Sequence, residues 1–201
     1  MRSGNWGPDS DENDHNQTNV LAARGYWQAF QTVKESIGKV LGKKTDGAIA
    51  GTVTEAEHEK WYRELFAPSV AAGILEATDL AGYRNHPVYI RRSMHVPPNY
   101  QAVRELIPTF FDLLQNEEEP VVRVVLGHYF FVYIHPYMDG NGRMCRFLMN
   151  VMLASGGYSW MVVPVEQRIE YMAALEEASV NQNIIPFASF LAGLIDSRVE
   201  E

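Results

Sequence analysis

The run His135-Pro-Tyr-Met-Asp-Gly-Asn-Gly-Arg-Met-Cys-Arg146 joins two apolar segments, Pro120–Ile134 before it and Phe147–Ala154 after it. Both flanks read as buried helices. Pro120–His135 is apolar on nearly every face and so belongs in a core. A connection between two buried helices needs no histidine, aspartate, asparagine and pair of arginines within twelve residues. Polar groups that the fold does not ask for point to a site.

Each residue of the run has a chemical use. Gly140 and Gly142 flank Asn141, so the backbone can take positive φ and turn successive N–H groups inward as a nest for an anion. The following residues open a helix, whose first N–H groups lack partners and attract anions. Arg143 and Arg146 are three apart and share a face of that first turn. Two guanidiniums beside an N–H nest can grip two or three phosphates. Asp139, the only carboxylate of the loop, suits Mg²⁺, which takes oxygen ligands and keeps several waters. His135 ends the preceding helix, and an imidazole near its working pH can take a proton from an incoming hydroxyl.

The run resembles the core motif of the Fic family, H-P-[FY]-x-[DE]-G-N-G-R-x-x-R, and meets every fixed position. The resemblance implies an all-α bundle around the central Pro120–His135 helix. It implies transfer of AMP from Mg·ATP to a Ser, Thr or Tyr hydroxyl of a target protein, with release of pyrophosphate. In that reading His135 is the base and Asp139 the Mg²⁺ ligand. Asn141, Gly142 and Arg143 bind the α- and β-phosphates, and Arg146 holds the γ-phosphate. Related Doc kinases carry a lysine at the second glycine; Gly142 here favours nucleotidyl transfer. Gly140 is intact, unlike the altered first glycine of the choline-phosphate transferase variant. Another nucleotide or phosphate-containing donor, or a binding module without turnover, remain the alternatives.

Upstream, Gly82–Val96 changes character. Val88, Tyr89 and Ile90 favour a strand, and Arg91-Arg92-Ser93 reads as a turn before Met94-His95-Val96. The pattern predicts a small β-hairpin. Gly-Tyr-Arg…Val-Tyr-Ile…His-Val-Pro-Pro also resembles the family's flap, whose exposed edge pairs with an extended segment of the target protein. Downstream, Glu166–Ala178 resembles the family's later helix through Arg168, Tyr171, Leu175 and Ala178. By that resemblance Tyr171 lines the adenine pocket. The asparagine that would accompany it is replaced by Ser179, a departure that leaves the preferred base open.

The other elements follow from periodicity. Tyr26, Ala29, Phe30, Val33 and Ile37 recur at helical spacing over Tyr26–Val40. Lys39–Gly51 reads as a loop and Thr54–Glu57 as a capping box opening a helix that Pro68 interrupts. Pro98 opens a helix through Leu114 in which Pro108 predicts a kink. Trp160–Val163 reads as an extended link and Pro186–Val199 as a closing helix. The domain reading is therefore 53–199, preceded by a helix and loop over 20–52 and a polar tail over 1–19 that reads as disordered or as a trimming remnant.

Composition narrows the classes. A chain of 201 residues, 46% hydrophobic, holds one domain with a sizeable core. A net charge of −8 leaves no overall basic footprint, so no nucleic-acid partner is expected. The longest apolar run, Val124–Ile134, is too short to span a bilayer, so no membrane association is expected. The single cysteine, Cys145, excludes an internal disulfide framework and fits a reducing, cytoplasmic setting. It falls at a free position of the motif, as a small apolar helix residue rather than a thiol nucleophile. His128 lies seven residues before His135, without the i, i+4 spacing of a helical zinc pair, and reads as a core histidine.

Many Fic proteins carry an inhibitory [ST]-x-x-x-E-[GN] helix whose glutamate pairs with the second motif arginine, here Arg146. No full match occurs. Glu12-Asn13 has Pro8 four residues back, and Ser197–Glu201 matches in part. An inhibitory partner chain and a homo-oligomer are the assemblies left open.

Overall fold

The computed structural model describes residues 12–41 and 47–199. Among them lie seven α-helices: α1 Glu12–Leu41, α2 Gly47–Ala71, α3 Tyr100–Asn116, α4 Pro120–Ile134, α5 Asn141–Ser155, α6 Arg168–Val180 and α7 Ile185–Val199. The expected all-α bundle is therefore present. α1 lies along α2 and α5, α4 pairs with α5, and α6 and α7 close the bundle over α4.

The centre is shared differently from the sequence expectation. Twelve of the fifteen residues of α5 are buried, against seven of fifteen in α4. α4 is apolar enough for a fully enclosed position, yet Val121 and Val122 are exposed at its start. α5 instead has α1, α2 and α4 around it, so its apolar run from Phe147 to Ala154 is covered on every side. Both helices that flank the motif thus contribute to the core, α5 more than α4.

α1 is longer than its apolar spacing predicts. Residues 12–19 are helical rather than part of a disordered tail; residues 1–11 lie outside the described residues. Once Ala29, Val33 and Val40 are packed, extending the helix backward adds a hydrogen bond for each residue ordered. α1 meets α2 closely at Gly25, where a Cβ would fall 2.0 Å from the Leu65 carbonyl oxygen. That approach lays the next residue, Tyr26, toward α5, where its ring packs 5.0 Å from Phe147.

The Thr54–Glu57 capping box is not a helix start. α2 runs through it from Gly47, and the buried Thr54 hydroxyl donates to the Ala50 carbonyl at 2.7 Å. Pro68 and Pro108 sit inside α2 and α3 without ending either helix. Each removes one helical hydrogen bond, but the neighbours Leu65 and Phe66, or Ile107, Phe110 and Phe111, are buried and hold the helix in place.

The predicted β-hairpin is corrected. No strand occurs among the described residues, including 83–99. The turn is there: Arg92 has φ 64°, and the Ser93 N–H donates to the Ile90 carbonyl at 3.2 Å. The two legs do not form a ladder because polar groups of the second leg are tied to the bundle instead. Glu176 of α6 accepts from the Met94 N–H at 2.6 Å and from the Ser93 hydroxyl at 2.5 Å. His95 Nε2 donates to the Tyr133 carbonyl at 2.9 Å.

Candidate active site

α4 stops at His135, whose backbone is left-handed at φ 52° and whose N–H caps Phe131 at 3.0 Å. The loop then closes on itself. Asn141 donates from Nδ2 to the Tyr137 carbonyl at 2.8 Å and accepts the Tyr137 N–H at Oδ1 at 2.9 Å. Tyr137 is plugged into the core, stacked on Tyr62 with ring centres 3.8 Å apart. Gly140 turns the chain at φ 81°, where a Cβ would come 2.9 Å from the Phe66 ring. This position needs glycine for its backbone and for its space.

The turn delivers the first N–H groups of α5, those of Asn141 and Gly142, without intrahelical acceptors. For an anion, Asn141 has only this backbone group to offer. Its side-chain amide, 2% exposed, is spent on the Tyr137 peptide. Asp139 is bonded to the Gly140 N–H at 2.6 Å and to Arg143 at 3.2 Å, yet its side chain is 78% exposed. An ion pair so exposed is weak and gives way readily to a stronger partner. Arg143 also lies over the Phe66 ring, 4.9 Å from its centre, which orients the guanidinium without using its N–H groups. Arg146, a turn further on, folds back toward Gly142.

His135 is set for proton transfer. Its Nδ1 lies 3.2 Å from the Val132 carbonyl, which can only accept, so Nδ1 carries the hydrogen and Nε2 is the basic nitrogen. Burial pushes the imidazole below its usual pKa, and the charges of Arg84 and His95 push the same way. The ring is therefore neutral at ordinary pH.

Arg84, which sequence reasoning passed over except as a letter of the flap pattern, holds this end of α4. It is 4% exposed. Its guanidinium donates to the carbonyls of His135 at 2.8 Å, His86 at 3.3 Å, Ile134 at 3.4 Å and also Pro98. Its own N–H donates to the Pro136 carbonyl at 2.8 Å. Arg84 thus satisfies carbonyls that a helix end leaves unpaired and places a cation at the negative end of the helix.

These groups converge on a cleft of about 700 Å³. His135, Asp139, Gly140, Asn141, Gly142, Arg143, Arg146 and Tyr171 all line it, as do Tyr89 and Ile90 of the flap; Val88 does not reach it. Its charged side chains are Arg91, Arg143, Arg146 and Arg168 against Asp139 alone. A chain of net charge −8 has gathered a cationic cleft, as binding of a polyanion requires. A groove of about 890 Å³ between α1 and α2, lined by Leu21, Trp27, Pro68 and Ala71 among others, has Arg24 as its one charged residue and lacks this convergence.

Three placements differ from the expectation. Tyr171 borders the cleft but is 5% exposed, and its hydroxyl turns inward to His128 Nε2 at 2.7 Å. Ser179 sits beneath the flap with Ile90 and Glu176, outside the cleft. Tyr26, assigned to a helix preceding the domain, lines the cleft near Arg146. No sequence signal near the motif marks it, since it arrives from more than a hundred residues away through the close approach at Gly25. His128 is a buried core histidine as expected. Cys145 is buried with its thiol pushed up to about 11, so it stays protonated and is no nucleophile. The partial inhibitory match ends at Glu201, outside the described residues.

The chain is similar to several known proteins. The Fic of Drosophila willistoni, named a protein adenylyltransferase, is 36% identical over 122 residues, 59% of this chain and 24% of that protein. The protein adenylyltransferase fic-1 of Caenorhabditis elegans is 33% identical over 124 residues, 60% of this chain and 24% of that protein. The chain spans about a quarter of the length of the curated relatives it matches. Among solved structures, Fic-1 (residues 134–508) of C. elegans superposes with a TM-score of 0.72 at 23% identity, over 99% of this chain and 54% of that one. A Fic domain containing signaling protein of Bacteroides thetaiotaomicron gives 0.59 at 16% identity, over 94% of this chain and 87% of that one. Both share the fold. The model of the Fic/DOC family matches residues 52–153, just over half of the chain and the whole of the motif, and this protein belongs to that family.

Proposed function

We propose that the cleft transfers AMP from Mg·ATP to a Ser, Thr or Tyr hydroxyl of a target protein. The observation that carries the reading is the pairing, in one cleft, of a neutral His135 with a bare Nε2 and an anion cradle made of the α5 N-terminus, Arg143 and Arg146. His135 takes the hydroxyl proton as the oxygen attacks the α-phosphorus. The bond from that phosphorus to the bridging oxygen of the β-phosphate breaks, and pyrophosphate leaves. The N–H groups of Asn141 and Gly142, with Arg143, meet charge as it develops on the phosphates, and Arg146 holds the terminal one.

Mg²⁺ fits the donor set. Asp139 offers one exposed carboxylate at the phosphate end, and no cluster of three His, Cys, Asp or Glu occurs among the described residues. That suits an ion held by one carboxylate, waters and substrate phosphates rather than by a protein cage. When bound, it would neutralise phosphate charge.

The target would lie along Val88–Ile90, whose backbone is outside any helix or ladder, with Tyr89 83% exposed at the cleft mouth. The inner wall, where Met161, Val163, Met172 and Leu175 meet Tyr171, is apolar. It can stack a base but offers little to choose one, which keeps donors other than ATP in view. No helix among the described residues is long and apolar enough to cross a membrane, and a cytoplasmic setting accords with a single, reduced cysteine. Incubating the protein with Mg²⁺ and each nucleoside triphosphate in turn, with and without cell lysate, and reading intact mass tests the function. One AMP added from ATP is expected. Addition only from another triphosphate would move the reading to that donor.

A further inference from the structure

Under the phosphate end of the cleft, α4, α5 and α6 meet in a small polar cluster whose fully buried members, His128 and Cys145, have no part in the transfer chemistry. His128 of α4 is fully buried. Its Nε2 lies 2.7 Å from the Tyr171 hydroxyl and 3.4 Å from the Cys145 sulfur. The Cys145 thiol donates to the Gly142 carbonyl at 3.2 Å. The Arg146 guanidinium completes the group, lying beside Gly142 and close enough to the same Tyr171 hydroxyl to act on it electrostatically.

His128 Nδ1 is buried with no hydrogen-bond partner. A core position that needed only volume would be filled better by an apolar ring, which leaves no polar atom stranded. What the imidazole supplies is Nε2 at the Tyr171 hydroxyl. Burial holds His128 uncharged, its pKa pushed down to about 3. The ring therefore serves as a hydrogen-bonding group and puts no second positive charge beside Arg146. His128 also packs edge-on to Tyr171, with Phe187 of α7 on another side, so neither ring is free to turn.

We infer that His128 is a positioning residue for the nucleotide. Bonded to Tyr171, it fixes the phenol that Arg146 rests against, and so holds the guanidinium ready for the terminal phosphate. A long side chain that is already ordered loses less freedom on binding, and a ligand-gripping group needs such a support behind it. The inference rests on the reading of Arg146 as the terminal-phosphate clamp.

Calorimetric binding of Mg·ATP and Mg·ADP separates the two claims. The wild-type protein should prefer ATP, and Arg146→Ala should remove that preference. His128→Phe and Tyr171→Phe should each reduce it about tenfold, equivalent to about 1.4 kcal/mol, with ADP affinity little changed. The double variant should be no worse than either single one, because both break the same chain. His128→Gln, which restores a polar group within reach of the phenol, should recover part of the loss. If Arg146→Ala abolishes the preference while His128→Phe and Tyr171→Phe keep it, the positioning role is overturned and the clamp stands. If Arg146→Ala keeps the preference, the clamp reading itself falls. Should His128→Phe fail to fold, Tyr171→Phe, which removes a single oxygen atom, decides the matter.

Discussion

The motif loop and the flap face each other across the cleft and are held by opposite means. The loop, His135 to Arg146, is built from bonds within itself: Asn141 to Tyr137, Asp139 to Gly140, Arg143 to Asp139. The flap, 83 to 99, takes its shape from afar: Glu176 is more than eighty residues from Met94, Tyr133 is thirty-eight from His95, and Arg84 reaches His135 across fifty-one. A loop braced by its own bonds keeps its geometry when a partner docks beside it, as catalysis needs. A segment held at a few distant points, with Val88–Ile90 outside any ladder, can adapt to a partner chain.

This contrast can be broken at several points. His135→Ala should lower transfer by about 10²- to 10⁴-fold, the usual worth of a general base, while thermal stability and nucleotide affinity hold. The wild-type rate should also depend on pH in a definite direction. The imidazole must be unprotonated to act and burial lowers its pKa. kcat/KM should therefore rise with pH to a midpoint below the ordinary histidine value of about 6.5 and stay level above it. A midpoint above that value would contradict the assigned environment.

Arg84→Met strikes the side chain whose hydrogen bonds tie the two regions together. It strands several buried carbonyls, and a loss of about 3 kcal/mol in chemical denaturation is expected together with weaker activity. An unchanged midpoint would show that the carbonyls find other partners. Asn141→Ala opens the loop's internal clasp and should remove about 2 kcal/mol, lowering nucleotide affinity while leaving target affinity alone. The smallest effect belongs to the flap. Glu176→Gln keeps an acceptor for the Met94 N–H but weakens it, and should cost less than about 1 kcal/mol of stability. It should raise KM for the target and spare KM for the nucleotide. Equal changes in both would mean that flap and loop are not independent.

What could be read from the sequence follows the same divide. The motif names its own chemistry because its residues act on one another within twelve positions, and the apolar flanks give away the two core helices. The roles of Asn141 and Tyr171 were only half legible: their letters fit the pattern, but the direction of each side chain depends on what lies behind it. For Asn141 that is the Tyr137 peptide, and for Tyr171 it is His128. The flap's turn at Arg91–Arg92 was readable, whereas the absence of a ladder was not. Nothing in Val88–Ile90 announces that the opposite leg is already bonded to Glu176 and Tyr133. Arg84 and Tyr26 were least visible, since one is a lone arginine in a polar stretch and the other belongs to a helix far from the motif.

The most direct test of the central claim is to supply ATP labelled at either the α- or the γ-phosphorus, with Mg²⁺ and lysate, and to follow the label into protein. The account predicts that the α label becomes covalently attached, the γ label does not, and His135→Ala abolishes attachment. Transfer of the γ label would make the cleft a kinase site. Undiminished transfer of the α label by His135→Ala would remove His135 as the base.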